Sequence, residues 1–350
     1  MYKVQWRSMT CRIAINGYGR IGQSVLRALY ESQYREQLEI VAINELSDIE
    51  TISYLTRYDT THGRFPYPVS ISSNFQDEKK LKIMNDSISV YRSESLTDLP
   101  WKDEEIDIVM ECTGVYGKRS DAEKHISSGA QKVLFSQPAD LSVDKTIVYG
   151  VNHAALTAQD RIVSNASCTT NAIIPVIKVL HDAFNIQQGT LTTIHSVMND
   201  QPTIDAYHHQ DLRRTRSAMQ NMVPVNTALA IGIERILPEM SGRLSAVAMR
   251  VPTINVSAID LTVYVNESTT VSQVNQVLKD ASLSNFNGVL SYTEEPLASS
   301  DFNHDMHSGI VDGSQTCVSG QKLIKVLTWF DNEWAFANRM LDVAKHWSAL

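Results

Sequence analysis

Two side chains in this sequence have the types needed for covalent acyl chemistry, the thiol of Cys168 and the imidazole of His195. Cys168 lies in the run Ser164-Asn165-Ala166-Ser167-Cys168-Thr169-Thr170-Asn171. A short apolar stretch, 161–163, precedes it, and residues 172–184 follow with apolar positions at helical spacing. Ser164, Asn165 and Ser167 are capping types, which puts Cys168 in the first turn of that helix. Unpaired backbone N–H groups and the positive end of the helix dipole favour thiolate there, and predict a pKa below the free value of about 8.5. Pro175 lies too far in to be a first-turn proline and predicts a kink. A lone cysteine is more often a buried structural residue, but the polar surroundings of Cys168 point to a nucleophile. His195 ends a β-branched run, 190–195, and on its own would more often be structural.

A second chemical element lies near the start. The run 11–16 reads as a buried strand, followed by Gly17-Tyr18-Gly19-Arg20-Ile21-Gly22 and a helical pattern through Val25, Leu26, Leu29 and Tyr30. Strand, GxGxxG and helix in succession point to dinucleotide binding. The first glycine permits the turn, the second lets backbone approach a pyrophosphate, and the third allows close packing of helix on strand. The next strand, 38–44, ends in Glu45. An acid there accepts hydrogen bonds from a ribose and repels a 2′-phosphate, favouring NAD over NADP, unless Glu45 is only a solvated loop residue.

These groups need a scaffold, and the patterning supplies one. Residues 52–58 look helical, and 69–91 alternate around Asn85-Asp86 as short antiparallel strands. Runs 106–114, 132–136 and 146–149 continue a strand-rich first half. Residues 196–220 form a long loop holding three arginines, and loops of that length are usually functional. The runs 246–251 and 256–265 alternate like strands of a mixed or antiparallel sheet; 271–281 reads as helix. His304 and His307 lack a third ligand at fixed spacing, so no metal is expected.

Bulk properties narrow the function classes. A chain of 350 residues, 43% apolar and 20% charged, is long enough for two domains with separate cores. Its net charge of −8 argues against indiscriminate binding to nucleic acid or an anionic membrane. No apolar run approaches the about 18 residues of a membrane span. The first ten residues lack the apolar core of a signal peptide, and Met9 is an alternative start. Cys11, Cys112, Cys168 and Cys317 are scattered without paired spacing, which fits a reducing cytoplasm.

The run 164–171 resembles the active-site signature of the glyceraldehyde-3-phosphate dehydrogenase family, and the similarity extends from Arg12 to the last helix. The resemblance implies an α/β fold: a Rossmann-type NAD domain, 9–166 with 333–350, and an α+β catalytic domain with a mixed or antiparallel sheet, 167–332. It implies that Gly17, Gly19, Arg20, Ile21, Gly22, Glu45 and Asn332 serve NAD, with Asn332 holding the nicotinamide carboxamide. Ser167, Thr169 and Arg250 are implied to contact a small phosphorylated aldehyde, Arg250 through its phosphate. Arg214, Thr227 and Ala228 line up with a second anion site. The implied chemistry is thiolate attack, with His195 as base, then hydride transfer and a thioester.

Departures from the family pattern point to one branch. Met198 replaces a threonine that contacts substrate phosphate, Ala172 a second cysteine, and Ala228 a glycine; Glu94 stands where an arginine usually lies beneath the adenine. The stretches 205–208, 211–216 and 302–307 resemble the branch that oxidises erythrose 4-phosphate to 4-phosphoerythronate, on the route to pyridoxal phosphate, as a cytoplasmic homotetramer. With the donor set changed at Met198 and Ala228, the thioester is expected to be released to water. The alternatives are phosphorylating oxidation of glyceraldehyde 3-phosphate and a non-catalytic NAD-binding regulator.

Overall fold

The computed structural model describes residues 10–73, 79–208 and 211–350. The alternative start at Met9 therefore lies outside the described residues. The chain divides into two compact units. One comprises the residues up to Ile147, His153–Ala166 and Ala337–Leu350; the other comprises Val148–Asn152 and Ser167–Phe336.

In the first unit the β-branched run forms β1 (Cys11–Asn16), followed by α1 (Arg20–Glu31), β2 (Leu38–Asn44) and α2 (Ile49–Arg57). A small hairpin, β3 (Tyr58–Asp59) and β4 (Gly63–Arg64), precedes β5 (Val69–Ser73), β6 (Lys79–Ile83) and β7 (Asp86–Tyr91). Then come β8 (Ile108–Glu111), α3 (Arg119–Ser127), β9 (Lys132–Phe135), β10 (Lys145–Thr146) and β11 (Ile162–Ser164). Among the described residues the main sheet runs β10-β11-β9-β8-β1-β2-β7-β6-β5. It is parallel from β10 to β7, and β6 and β5 add on antiparallel, as the 69–91 alternation predicts. The parallel strands are buried on both faces, which is why 13–15, 40–43 and 108–110 read as continuous apolar runs. The strand expected at 146–149 stops at Thr146. Val148 N–H instead donates to the Asn152 side chain at 2.8 Å, and a turn replaces the ladder.

The second unit opens with α4 (Cys168–Phe184), continuing through Pro175, and β12 (Ile186–His195). The remaining elements are β13 (Val223–Val225), α5 (Leu229–Ile236), β14 (Leu244–Arg250), β15 (Ser257–Val265), α6 (Val271–Leu283), β16 (Leu290–Thr293), β17 (Gly309–Ser319) and β18 (Leu323–Phe330). Their sheet runs β13-β14-β12-β15-β18-β17-β16 and is mixed, with β12 parallel to β14 and antiparallel to β15. α7 (Trp334–Ser348) ends the chain.

Packing fixes the helix that carries Cys168. Ala172, Ile173, Ile174, Val176, Ile177 and Leu180 are fully buried, and α4 lies against α5, α6 and β17. Its approach to β17 is so close that a Cβ on Gly309 would lie 2.6 Å from the Ala172 carbonyl oxygen. Removing a buried aliphatic from this face would cost about 2–5 kcal/mol.

Candidate active site

The turn that delivers Cys168 is built locally. Ala166 holds φ +57, a left-handed backbone that a side-chain-bearing residue rarely adopts and that recurs where structure is held for function. Ser167 is the N-cap of α4, accepting from Thr170 N–H at 3.0 Å, and its hydroxyl also meets those of Thr169 at 2.9 Å and Thr170 at 2.6 Å. Cys168 is therefore the first residue of the helix, as the capping pattern predicts.

β12 brings His195 beside it. His195 Nε2 lies 3.7 Å from Cys168 Sγ, and Nδ1 lies 2.8 Å from the Ser196 carbonyl oxygen. A carbonyl only accepts, so Nδ1 carries the proton and Nε2 presents its lone pair to the thiol. Burial holds the His195 pKa below its ordinary value; the Ser196 carbonyl opposes that shift and Arg250 adds to it.

The thiol differs from the sequence expectation. Cys168 is half-buried by surface exposure, yet its thiol is largely desolvated, which pushes its pKa up to about 12, outweighing the backbone N–H groups of Thr169 and Cys168, which pull it down; Glu333 and Asp331 add to the rise. The helix end acts in the expected direction, but desolvation is larger. Raising a thiol from its ordinary 9.0 to about 12 costs on the order of 4 kcal/mol. A thiolate and an imidazolium at the 3.7 Å separation would attract by a similar amount, about 4 kcal/mol at an effective dielectric near 20. Proton transfer to Nε2 is thus the route that the geometry offers this thiol for ionising.

Around this pair, loops from distant parts of the chain are tied together. Asn332 Oδ1 accepts from Ser196 Oγ at 2.9 Å and from Ser257 Oγ at 2.8 Å, and Ser257 Oγ accepts from Ser196 N–H at 3.0 Å. The two hydroxyls fix the orientation of the Asn332 amide. The buried Asp331 carboxylate accepts from the N–H groups of Glu333, Trp334 and His304 and from Asn255, fixing the start of α7. His304 stacks on Trp334 at 3.5 Å between centroids, and His307 pairs with Asp305 at 2.7 Å.

Arg250 stands opposite His195 in the β12–β14 register and is 6% exposed. Its Nη1 meets Asp200 Oδ1 at 2.5 Å, and its Nη2 lies 3.3 Å from Met198 Sδ. Arg214, in the turn 212–215, meets Asp200 Oδ2 at 2.9 Å and Asp211 at 3.7 Å. Thr227 and Ala228 are exposed at the start of α5, after β13, on which the Arg214 turn packs. Asp200, Ser196, Ser257 and Asp331 carry no role in the sequence reading. Apart from Glu333 and Trp334 beside Asp331, and His195 beside Ser196, the partners named for them here lie well apart from them in the chain.

In the first unit a cleft of about 510 Å³ opens at the carboxyl ends of β1, β2, β7 and β8, where strand order reverses about β1. Gly17, Gly19, Glu45 and Glu94 line it. Gly17 has φ +88, and a Cβ there would lie 2.7 Å from Thr113 backbone. A Cβ on Gly22 would meet the Gly17 carbonyl oxygen at 2.3 Å, whereas one on Gly19 would meet no protein atom and would project into open space. That bare backbone at the head of α1 suits a pyrophosphate. The Arg20 side chain is paired with Asp59, and neither Arg20 nor Ile21, on the first turn of α1, lines the cleft. Glu45 accepts from Tyr18 N–H at 2.7 Å and Leu46 N–H at 2.8 Å, which holds its carboxylate at the cleft wall.

Beneath the cleft lies a buried relay absent from the sequence reading. Trp101 Nε1 donates to His125 Nδ1 at 3.0 Å, so His125 Nε2 donates to Glu111 at 3.1 Å. Asn16 Nδ2 donates to the same carboxylate at 2.5 Å, and Asn16 Oδ1 accepts from Asn44 Nδ2 at 2.7 Å, which fixes the ends of β1 and β2.

Two outcomes follow from this geometry. His195→Asn removes the proton acceptor, so the iodoacetamide rate at Cys168 near neutral pH falls by on the order of 100-fold and its profile moves to higher pH. An unchanged profile would remove His195 from that role. Because a 2′-phosphate beside Glu45 sets like charges together at a cost of several kcal/mol, kcat/KM with NADP is at least about 100-fold below that with NAD. Equal rates with both would show that Glu45 does not face the ribose.

Residues 11–119 match the family model of the glyceraldehyde 3-phosphate dehydrogenase NAD binding domain, and residues 167–332 match that of the glyceraldehyde 3-phosphate dehydrogenase C-terminal domain. The dinucleotide cleft falls within the first match and the thiol–imidazole pair within the second. The chain belongs to the glyceraldehyde 3-phosphate dehydrogenase family, and it is an NAD-dependent dehydrogenase.

Proposed function

We propose that this dehydrogenase oxidises erythrose 4-phosphate to 4-phosphoerythronate and releases its acyl intermediate to water, as a cytoplasmic homotetramer supplying the route to pyridoxal phosphate. The thiol proton passes from Cys168 Sγ to His195 Nε2, and the thiolate attacks the aldehyde carbon. The Cys168 N–H and the imidazolium meet the oxyanion that forms. NAD supplies the hydride acceptor. The imidazolium gives its proton to that oxyanion, and the neutral His195 takes the hydroxyl proton back as hydride departs and the carbonyl reforms, leaving a thioester on Cys168. Once that proton has passed to solvent, neutral His195 deprotonates a water, which displaces the thiolate and gives the free acid. Ser167 and Thr169 sit beside the thiol to orient the aldehyde, and Arg250 takes the phosphate through its planar fork.

The observation that carries this reading is the Met198 thioether 3.3 Å from Arg250 Nη2. A threonine in that place would donate a hydroxyl to an anion, whereas a thioether is only a weak acceptor. Phosphate as the attacking group would need a second oxyanion held beside a phosphorylated acyl chain, and mutual repulsion makes that tolerable only with enough donors. Ala228 further alters the donor set, while Arg214 and Thr227 favour the second reading, phosphorylating oxidation of glyceraldehyde 3-phosphate. The Cys168–His195 geometry weighs against a non-catalytic regulator.

The two enzyme readings separate in one time course. With erythrose 4-phosphate and NAD in phosphate-free buffer, NADH accumulates steadily over many turnovers. Arrest after one equivalent per active site, with resumption on adding phosphate or arsenate, would make the phosphorylating reading correct.

A further inference from the structure

The two arginines assigned above to anion sites share one internal anion. Asp200 spans them, Oδ1 on Arg250 at 2.5 Å and Oδ2 on Arg214 at 2.9 Å. We propose that Asp200 is a displaceable counter-anion that holds the place of the substrate phosphate and sets the selectivity of the site for phosphorylated aldehydes. The inference rests on the reading of Arg250 as a phosphate ligand.

The burial of the partners is unequal, and that decides which one moves. The Arg250 side chain is 8% exposed, on a strand fixed in register beside His195, whereas that of Asp200 is 37% exposed in a loop. A nearly buried guanidinium left without a counter-charge is costly, so the empty site needs an anion of its own. Asp200 loses little on leaving, because water already solvates it. It also lies on a short turn, closed by Gln201 N–H donating to the Met198 carbonyl at 3.0 Å and rooted by Val197 N–H on the Thr253 carbonyl at 2.9 Å. A phosphate has a larger charge and more acceptor oxygens than one carboxylate, so exchange at Arg250 is favourable.

Asp200 also ties the two cations together. When it leaves, Arg214 keeps Asp211 at 3.7 Å, while Arg250 is left with the Met198 thioether. The stronger unmet positive charge is then at Arg250. Substrate phosphate is drawn there, and Arg214, still partly neutralised, attracts a second oxyanion less strongly.

Asp200→Asn preserves shape and removes the competing charge. In this variant KM for erythrose 4-phosphate falls and inhibition by inorganic sulfate strengthens, each by about tenfold, the worth of one charge-assisted contact. The kcat/KM ratio of erythrose 4-phosphate over unphosphorylated erythrose rises by a similar factor. Asp200→Ser gives the same signs. If KM for the phosphorylated substrate and the sulfate inhibition constant stay the same or rise in both folded variants, Asp200 only orders the loop and the proposal is overturned. Arg250→Ala keeps that outcome distinct from failure of the underlying reading: unchanged KM for erythrose 4-phosphate in Arg250→Ala would remove Arg250 from phosphate binding altogether.

Discussion

The proposed chemistry depends on a balance between desolvation and charge pairing at Cys168. Burial makes the isolated thiol a poor acid, with a pKa near 12, and burial also keeps His195 neutral. Either group ionised alone would be unfavourable. Ionised together at 3.7 Å, they recover about what desolvation costs the thiol. The nucleophile is therefore a property of the pair, and the elements that set the spacing of the pair matter as much as the two side chains.

Those elements are the packed start of α4 and the paired end of β12. α4 cannot slide, because its buried face lies against β17 at the bare Gly309. β12 cannot slip, because its register with β14 on one side and β15 on the other is continuous through residues 189–194. The register places Arg250 beside His195, so one ladder positions a base and an anion-binding guanidinium. The Ser196–Ser257–Asn332 bonds then lock the loop that carries the hydrogen-bond partner of the imidazole.

Much of this was legible in the sequence because it is local. The cap at Ser167, the first-turn position of Cys168 and the strand–glycine–helix order are short-range patterns with one physical meaning, and the β-branched runs located β1, β2 and β12. The sign of the thiol shift was not legible. The helix terminus is visible in eight residues, but the desolvation that outweighs it, and the Glu333 and Asp331 carboxylates that add to it, come from residues brought near only by the fold. The same limit hid Asp200, an ordinary acid in a long loop until β14 brings Arg250 against it. It hid Ser257, whose hydroxyl acts across 61 residues on Ser196 and across 75 on Asn332. The Glu111–His125–Trp101 relay likewise joins three elements whose polar residues look unrelated in the chain. The strand expected at 146–149 failed for a local reason, since Asn152 offers Val148 a side-chain acceptor.

The account stands or falls on covalent chemistry at Cys168. The most direct test is Cys168→Ala, assayed for NADH formation from erythrose 4-phosphate alongside NAD binding by titration. The account predicts that oxidation is lost while NAD affinity stays close to that of the wild type, because the glycine loop and Glu45 line a cleft formed by other residues. Turnover by Cys168→Ala at the wild-type rate would contradict it.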